Sequence, residues 1–223
     1  MRQAGFHLIA KRALDKALGA TALAVFSPVI AVSAAAIRLT LGSPVLFTQE
    51  RAGRGGRGFR ILKFRSMNDR RDARGELLPD AERLTRLGQF LRASSIDELP
   101  QLVSVLRGDM SLVGPRPLPM AYLERYSPDQ ARRHEVLPGI TGWAQVNGRN
   151  AHDWDVKLAF DTWYVANWSL LLDLKILAMT VHRVLARRDI SQPGHATMPV
   201  FLGPGGRSPA ASPPTREAAD GAP

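Results

Sequence analysis

The chain has 223 residues, 45% of them hydrophobic, which suffices for one packed domain, and its lack of cysteine excludes disulfide bonds and thiolate metal sites. The net charge of +10 indicates a polyanionic partner: nucleic acid, an anionic membrane face or a phosphorylated substrate. Aromatic residues are few and no helix-turn-helix, zinc-finger or RNA-binding signature occurs, so we expect no nucleic-acid partner.

An uncharged apolar segment extends from Ala17 to Ile37. Its length suits a spanning helix, and the basic residues before it also fit a cleaved signal peptide. We expect a third arrangement, a re-entrant helix broken at Ser27 and Pro28, because proline removes a backbone donor and clashes with the carbonyl four residues back. The Ser27 hydroxyl can bond a freed carbonyl. Basic residues flank both ends, so both ends are expected to face the cytoplasm.

The next elements are a hairpin and a series of helices. Two β-prone runs around a glycine-rich turn, 44–50 and 59–64, predict a β-hairpin. Apolar spacing predicts helices over 81–92, 99–106, 120–136, 155–165 and 169–188, whereas 143–150 is expected to be extended structure and loop. The last of these helices is basic and amphipathic, which fits an interfacial position and packing on the core equally well.

We therefore predict an α+β fold that is predominantly helical and has no parallel Rossmann sheet. Three regions are expected: the membrane helix with its basic flanks at 1–40, a catalytic domain at 41–203, and a tail at 204–223. The tail is rich in proline, glycine and alanine, which predicts disorder.

Asp97 and Glu98 are adjacent carboxylates at the start of a predicted helix, which must begin at or just before Asp97 because Pro100 fits only a first turn. One interpretation is structural, since Ser95 and Glu98 match a capping box and acidic side chains stabilise a helix N-terminus. The other is chemical, since ionised carboxylates near Arg92 suit a diphosphate bound with Mg²⁺.

Four sequence blocks, 63–67, 97–102, 108–117 and 138–150, make the chain recognisable. They read KFRSM, DELPQL, GDMSLVGPRP and PGITGWAQVNGRN. With these motifs the chain resembles the monotopic bacterial phosphoglycosyl transferases of the bacterial sugar transferase family, and most closely their small PglC-like type. The resemblance extends from about Lys11 to about Ile190. It implies a monotopic protein on the cytoplasmic face of the inner membrane, anchored by a re-entrant helix with amphipathic interfacial helices.

The resemblance also implies a reaction. A sugar phosphate passes from a UDP-sugar to undecaprenyl phosphate, UMP is released, and a glycoconjugate is started. Asp97 matches the nucleophile that forms a covalent sugar-phosphoryl aspartate, and Glu98 matches the neighbouring acid tied to Mg²⁺. We therefore expect Mg²⁺ as cofactor, with Glu98 and Asp97 as its ligands. A basic membrane-anchored interaction module without catalysis is the alternative, which UMP release would exclude.

Five cationic residues are candidate phosphate ligands. Arg92, Arg116 and Arg149 match phosphate-contacting arginines of the family, and guanidinium groups bind phosphate oxygens in pairs. Lys63 and Arg65 lie at a predicted strand end, where they either bind phosphate or cap the sheet.

Overall fold

The structure, a computed structural model, describes residues 5–147, 153–186 and 200–204. The α-helices are α1 Gly5–Thr40, α2 Asp80–Arg83, α3 Arg86–Ala93, α4 Leu102–Arg107, α5 Pro128–Ala131, α6 Trp143–Val146, α7 Trp154–Asn167 and α8 Leu170–Ala186. The strands are β1 Leu46–Ala52, β2 Gly58–Phe64, β3 Ser111–Val113 and β4 Gly139–Thr141. This arrangement confirms the predicted α+β, mainly helical class.

Helix α1 is long and apolar enough to cross a membrane. It continues through Pro28 without interruption, so the two separate half-helices expected from the sequence are one helix. The Ser27 hydroxyl donates to the carbonyl of Ala24 at 2.8 Å. That carbonyl is the one that the missing N–H of Pro28 leaves without its helical partner. The predicted role of Ser27 is therefore confirmed, and any change of direction at Pro28 lies within one helix.

Both ends of α1 pack on the same folded domain. Near its beginning, the Lys11 ammonium lies 2.6 Å from the carboxylate of Asp173 and donates to the carbonyl of Val113 at 3.2 Å. Near its end, Ile37 is buried in a cluster that also contains Phe64 and Leu91. Midway between these contacts, residues 24–29 are all exposed. The apolar middle of α1 is thus the part that the domain leaves uncovered.

The predicted hairpin is confirmed as the antiparallel pair β1–β2, closed by a short 3₁₀ turn at Arg54–Gly56. Glycine is needed in this turn because Gly55 has a φ of 64°. Residues paired across the strands lie on the same face, and the register pairs Arg51 with Phe59 and Phe47 with Lys63. Arg51 and Lys63 therefore lie on one face of the hairpin.

Two of the helices expected from apolar spacing are divided. The segment 81–92 forms α2 and α3, because Leu84 forms a β-bridge with Met67 and Thr85 caps α3 by accepting from the Gly88 N–H at 3.0 Å. The single helix expected over 120–136 is wrong: 3₁₀ turns Met120–Arg125 and Arg132–Glu135 flank the short α5. A Ser127–Gln130 capping box starts α5 and so ends the preceding turn.

The other helical predictions are largely confirmed. Segment 99–106 corresponds to the 3₁₀ helix Ile96–Gln101 followed by α4, and 155–165 corresponds to α7. The helix predicted over 169–188 corresponds to α8, with residues 187 and 188 outside the described part of the chain. The extended structure expected from residue 143 is wrong, because α6 begins there. Residues 148–150 lie outside the described part of the chain, as do 205–223 of the predicted tail. On α8, Ile176 is buried whereas Leu171 and Val181 are exposed, so only one face packs on the core.

Candidate active site

Asp97 and Glu98 lie in the 3₁₀ helix Ile96–Gln101, which continues directly into α4. This helix begins after Ser95, whose φ of 58° is left-handed, and it contains Pro100. The Ser95 side chain makes no cap hydrogen bond, and the Glu98 side chain is bound elsewhere. The capping-box interpretation of the acidic pair is therefore wrong.

Glu98 is bound by two cations. The Lys63 ammonium lies 2.7 Å from Glu98 Oε1, and Arg116 donates to both carboxylate oxygens, at 2.5 Å to Oε1 and 3.4 Å to Oε2. Burial raises the pKa of Glu98, but the charges of Arg116 and Lys63 outweigh it, and the net shift of its pKa is downward. Glu98 is thus a fixed anion whose oxygens are already engaged.

Asp97 is in the opposite situation. It is 7% exposed and accepts no hydrogen bond and forms no ion pair within the described ranges. Burial, and then the charge of Glu98, raise the pKa of Asp97 to about 6, while Lys63, Arg116 and Arg92 act to lower it. At neutral pH most of the carboxylate is ionised, and no donor among the described residues uses its lone pairs. Such a group is suited to attack phosphorus or to bind a metal.

Arg116 is positioned by the parallel pair β3–β4. The strands approach so closely that a Cβ atom on Gly139 would lie 2.1 Å from the Gly114 nitrogen. A side chain does not fit there, which explains why the motifs 108–117 and 138–150 have glycine at these two positions. Pro115 then leads into Arg116, whose carbonyl accepts from Arg133 Nη2 at 2.6 Å. Arg133 also forms a buried ion pair with Asp161 at 2.8 Å. Arg133 and Asp161 were not recognised from the sequence, because no motif marks a pair 28 residues apart.

The other three arginines predicted from the sequence as phosphate ligands do not all lie at the acidic pair. The Arg92 Nε donates to Ser66 Oγ at 3.0 Å, and its charge acts on Asp97. Arg65 donates to the carbonyls of Leu41 and Ser43 at 3.2 Å and pairs with Asp69. Of its two interpretations, the structure favours capping at the sheet end. Arg149 lies outside the described residues. The structure therefore gathers Lys63, Arg92 and Arg116 around the two carboxylates.

A family model described as bacterial sugar transferase matches residues 6–187. The chain is 54% identical over 198 residues to the uncharacterized sugar transferase EpsL of Bacillus subtilis, covering 89% of this chain and 98% of that protein. It is 46% identical over 190 residues to a UDP-glucose:undecaprenyl-phosphate glucose-1-phosphate transferase of Caulobacter vibrioides, covering 78% and 69% of the two chains. A third relative, the UDP-N-acetylgalactosamine-undecaprenyl-phosphate N-acetylgalactosaminephosphotransferase of Aeromonas hydrophila, is 41% identical over 183 residues, which are 78% of this chain and 43% of that protein.

Proposed function

The chain belongs to the bacterial sugar transferase family and is a phosphoglycosyl transferase, and we propose that it moves a sugar phosphate from a UDP-sugar to undecaprenyl phosphate, releasing UMP. The observation that carries this proposal is the asymmetry of the acidic pair. Glu98 is neutralised by Lys63 and Arg116, whereas Asp97 beside it is buried and accepts no hydrogen bond from the described residues. One carboxylate is thereby left to react.

The proposed chemistry proceeds in two displacements at one phosphorus atom. An Asp97 oxygen attacks the phosphorus that bears the sugar, the bond from that phosphorus to the bridging oxygen breaks, and UMP leaves with the electron pair. An oxygen of undecaprenyl phosphate then attacks the same phosphorus and displaces the Asp97 carboxylate. Lys63, Arg92 and Arg116 surround the carboxylates with positive charge, which stabilises negative charge on phosphate oxygens in both transition states.

We propose Mg²⁺ as the cofactor because the donor set fits it. Mg²⁺ is usually bound by one or two carboxylates together with substrate phosphates and water. Among the described residues, no group of three or more histidine, aspartate or glutamate side chains is placed to bind a metal alone. The Asp97 oxygens accept no bond from the described residues, whereas those of Glu98 are already engaged. Asp97 would therefore hold Mg²⁺ jointly with the diphosphate of the substrate, while Glu98 would add negative charge beside the ion, and the ion would neutralise charge on the leaving phosphate.

The activity is expected to depend on pH through Asp97. Burial and the Glu98 charge raise the pKa of Asp97 to about 6, and only the ionised form can attack phosphorus. The value of kcat/KM for the UDP-sugar should therefore be constant above this pH and fall about tenfold for each pH unit below it. Replacing Arg92 by Met should move the acid limb to higher pH, because the Arg92 charge lowers the pKa of Asp97. An acid limb near the ordinary carboxyl pKa in the wild type would contradict this assignment.

We further propose that α1 enters and leaves the membrane on the cytoplasmic face of the inner membrane. Lys11 and Ile37 are 26 positions apart and contact the same domain. A straight helix of that length is about 39 Å long, more than the hydrocarbon layer of about 30 Å. If α1 spanned the bilayer, one of these contacts would have to break. A bend at Pro28 would instead let the exposed middle of the helix enter the lipid.

Cysteine accessibility tests this topology, because the chain has no cysteine of its own. In intact cells, the single variants Ala4→Cys and Ala73→Cys should both resist a membrane-impermeant thiol reagent and react after permeabilisation. Ala73 is an exposed loop residue of the catalytic domain and serves as the cytoplasmic control. Adding Ser27→Ala and Pro28→Leu should favour a continuous spanning helix and expose position 4. Labelling of Ala4→Cys without these additional changes would show that the segment spans.

A panel of UDP-sugars tests the function itself. The purified protein in lipid nanodiscs should release UMP from at least one UDP-sugar, with sustained turnover only when undecaprenyl phosphate and Mg²⁺ are present. A protein that binds the membrane but releases no UMP from any member of the panel would be an interaction module instead.

A further inference from the structure

Arg51 of β1 is a half-buried cation that pairs with no acidic side chain in the part of the chain that the structure describes. Its Nη2 donates to the side-chain oxygen of Gln49 at 2.5 Å, while its Nε is buried and has no hydrogen-bond partner. Within the described ranges, no carboxylate lies within ion-pair distance of its guanidinium. A charged group that is removed from water normally acquires a counter-ion, so this arrangement needs an explanation.

The backbone places Arg51 beside the candidate active site. Arg51 forms a β-bridge with Pro119, and the Ala52 N–H donates to the Leu118 carbonyl at 3.0 Å, so β1 runs next to the segment that follows Arg116. The hairpin register puts Arg51 on the same face as Lys63, about 14 Å away along the strand at about 3.4 Å per residue. The charge of Arg116 acts on Lys63 and on Arg51, so Arg116 lies near both, and the three cations form a row along this side of the site.

The charges along this row are not balanced. Glu98 is the counter-ion of both Lys63 and Arg116, and 41% of the Arg116 side chain is exposed. Burial, and then the neighbouring charge of Arg116, lower the pKa of Arg51. An arginine nevertheless stays protonated in proteins, so the repulsion between Arg51 and Arg116 persists. An anion that contacts both guanidinium groups would remove this repulsion.

We propose that Arg51 binds a phosphate group that lies next to Arg116, on the far side from the phosphate that Asp97 attacks. The inference rests on the proposed function, which supplies two sources of such a group. One is the nucleotide phosphate that leaves within UMP, and the other is the phosphate of the polyprenyl acceptor. Arg51 would thus be a binding residue for one of the two substrates.

The test compares Arg51→Met with Arg60→Met. Arg60 is an exposed residue of β2 that pairs with Glu50 on the other face of the hairpin, so its loss changes the net charge equally. Titration of UMP into the full-length protein in nanodiscs should give a Kd that rises about tenfold or more in Arg51→Met, the usual effect of losing a charged hydrogen bond. Arg60→Met should keep the wild-type value. The Tm of ligand-free Arg51→Met should not fall, because the replacement removes repulsion from Arg116.

The outcomes separate the two phosphate sources. A weakened UMP affinity assigns Arg51 to the nucleotide phosphate. An unchanged UMP affinity, with a KM for undecaprenyl phosphate raised about tenfold or more in Arg51→Met alone, assigns it to the acceptor. Wild-type values for both quantities in an active Arg51→Met enzyme would overturn the proposal. So would a ligand-free Tm well below that of the wild type, which would make Arg51 structural. Absence of UMP release by the wild type refutes the proposed function instead, and UMP titration still tests Arg51.

Discussion

Asp97→Asn is expected to abolish turnover, with UMP release falling by about 10⁴-fold or more, as is common when a nucleophile is removed. The amide has no negative charge and cannot accept a phosphoryl group in place of the carboxylate. Mass spectrometry provides the direct measurement. After incubation with a UDP-sugar and no acceptor, wild-type protein should gain the mass of a sugar phosphate on Asp97, and Asp97→Asn should gain none.

The same variant should fold at least as well as the wild type, which distinguishes lost chemistry from lost structure. Burial raises the pKa of Asp97 to about 6, so the folded state prefers the protonated carboxyl and loses stability as the pH rises through that value. Asparagine is neutral at every pH. The free energy of unfolding of Asp97→Asn should therefore exceed that of the wild type by about 3 kcal/mol at pH 8 and approach it below pH 4. Substantial turnover by Asp97→Asn would refute the covalent mechanism.

Glu98→Gln is expected to reduce kcat/KM by about 10²–10³-fold, the range seen when one preorganised electrostatic group is lost. Glutamine cannot neutralise Lys63 and Arg116, which lie within 2.7 Å of the Glu98 carboxylate. Asp97 is the other described carboxylate whose charge acts on both cations, and pairing with it would occupy the oxygens that the reaction needs. The loss of activity should therefore have two causes: Asp97 is held by the two cations instead of attacking phosphorus, and Mg²⁺ binds more weakly.

The pH profile identifies this cause. The charge of Glu98 raises the pKa of Asp97, so the acid limb of kcat/KM in Glu98→Gln should move below pH 6. The value of KM for Mg²⁺ should rise as well. Glu50→Gln is the matched control, because Glu50 is an exposed carboxylate on β1 and its replacement should change neither quantity. An acid limb that stays near pH 6 in Glu98→Gln would mean that the two carboxylates do not influence each other.

Local rules account for the elements that bring the site residues near one another. Pro100 can occupy only the first turn of a helix, and this restriction alone predicts that the helix begins at or just before Asp97, close to its observed start at Ile96. The glycine-rich turn between two β-prone runs likewise predicts the hairpin that carries Lys63. Such features depend on a few neighbouring residues, and their physical origin is the conformational restriction of proline, glycine and β-branched side chains.

The same local rules failed where a distant residue competed for a group. Ser95 and Glu98 have the spacing of a capping box, yet Glu98 binds Lys63 and Arg116 because two full charges attract it more strongly than one backbone N–H. Similarly, the apolar spacing at 81–92 continues through Leu84, but its β-bridge to Met67 divides the helix. In both cases the deciding partner is far along the chain, so no short sequence window contains it.

The sequence by itself determined the family motifs, the acidic pair, the apolar anchor and the hairpin. Only the tertiary structure decided that Glu98 is the carboxylate paired with Lys63 and Arg116 and that Asp97 is not paired with either. Lys63 and Arg116 reach Glu98 across 35 and 18 positions, and the buried Arg133–Asp161 pair secures the carbonyl of Arg116. It also decided that Arg65 bonds backbone carbonyls and that none of the described carboxylates pairs with Arg51. The reason is that the energy of a charge depends on distance and burial in space, which packing establishes and chain position does not.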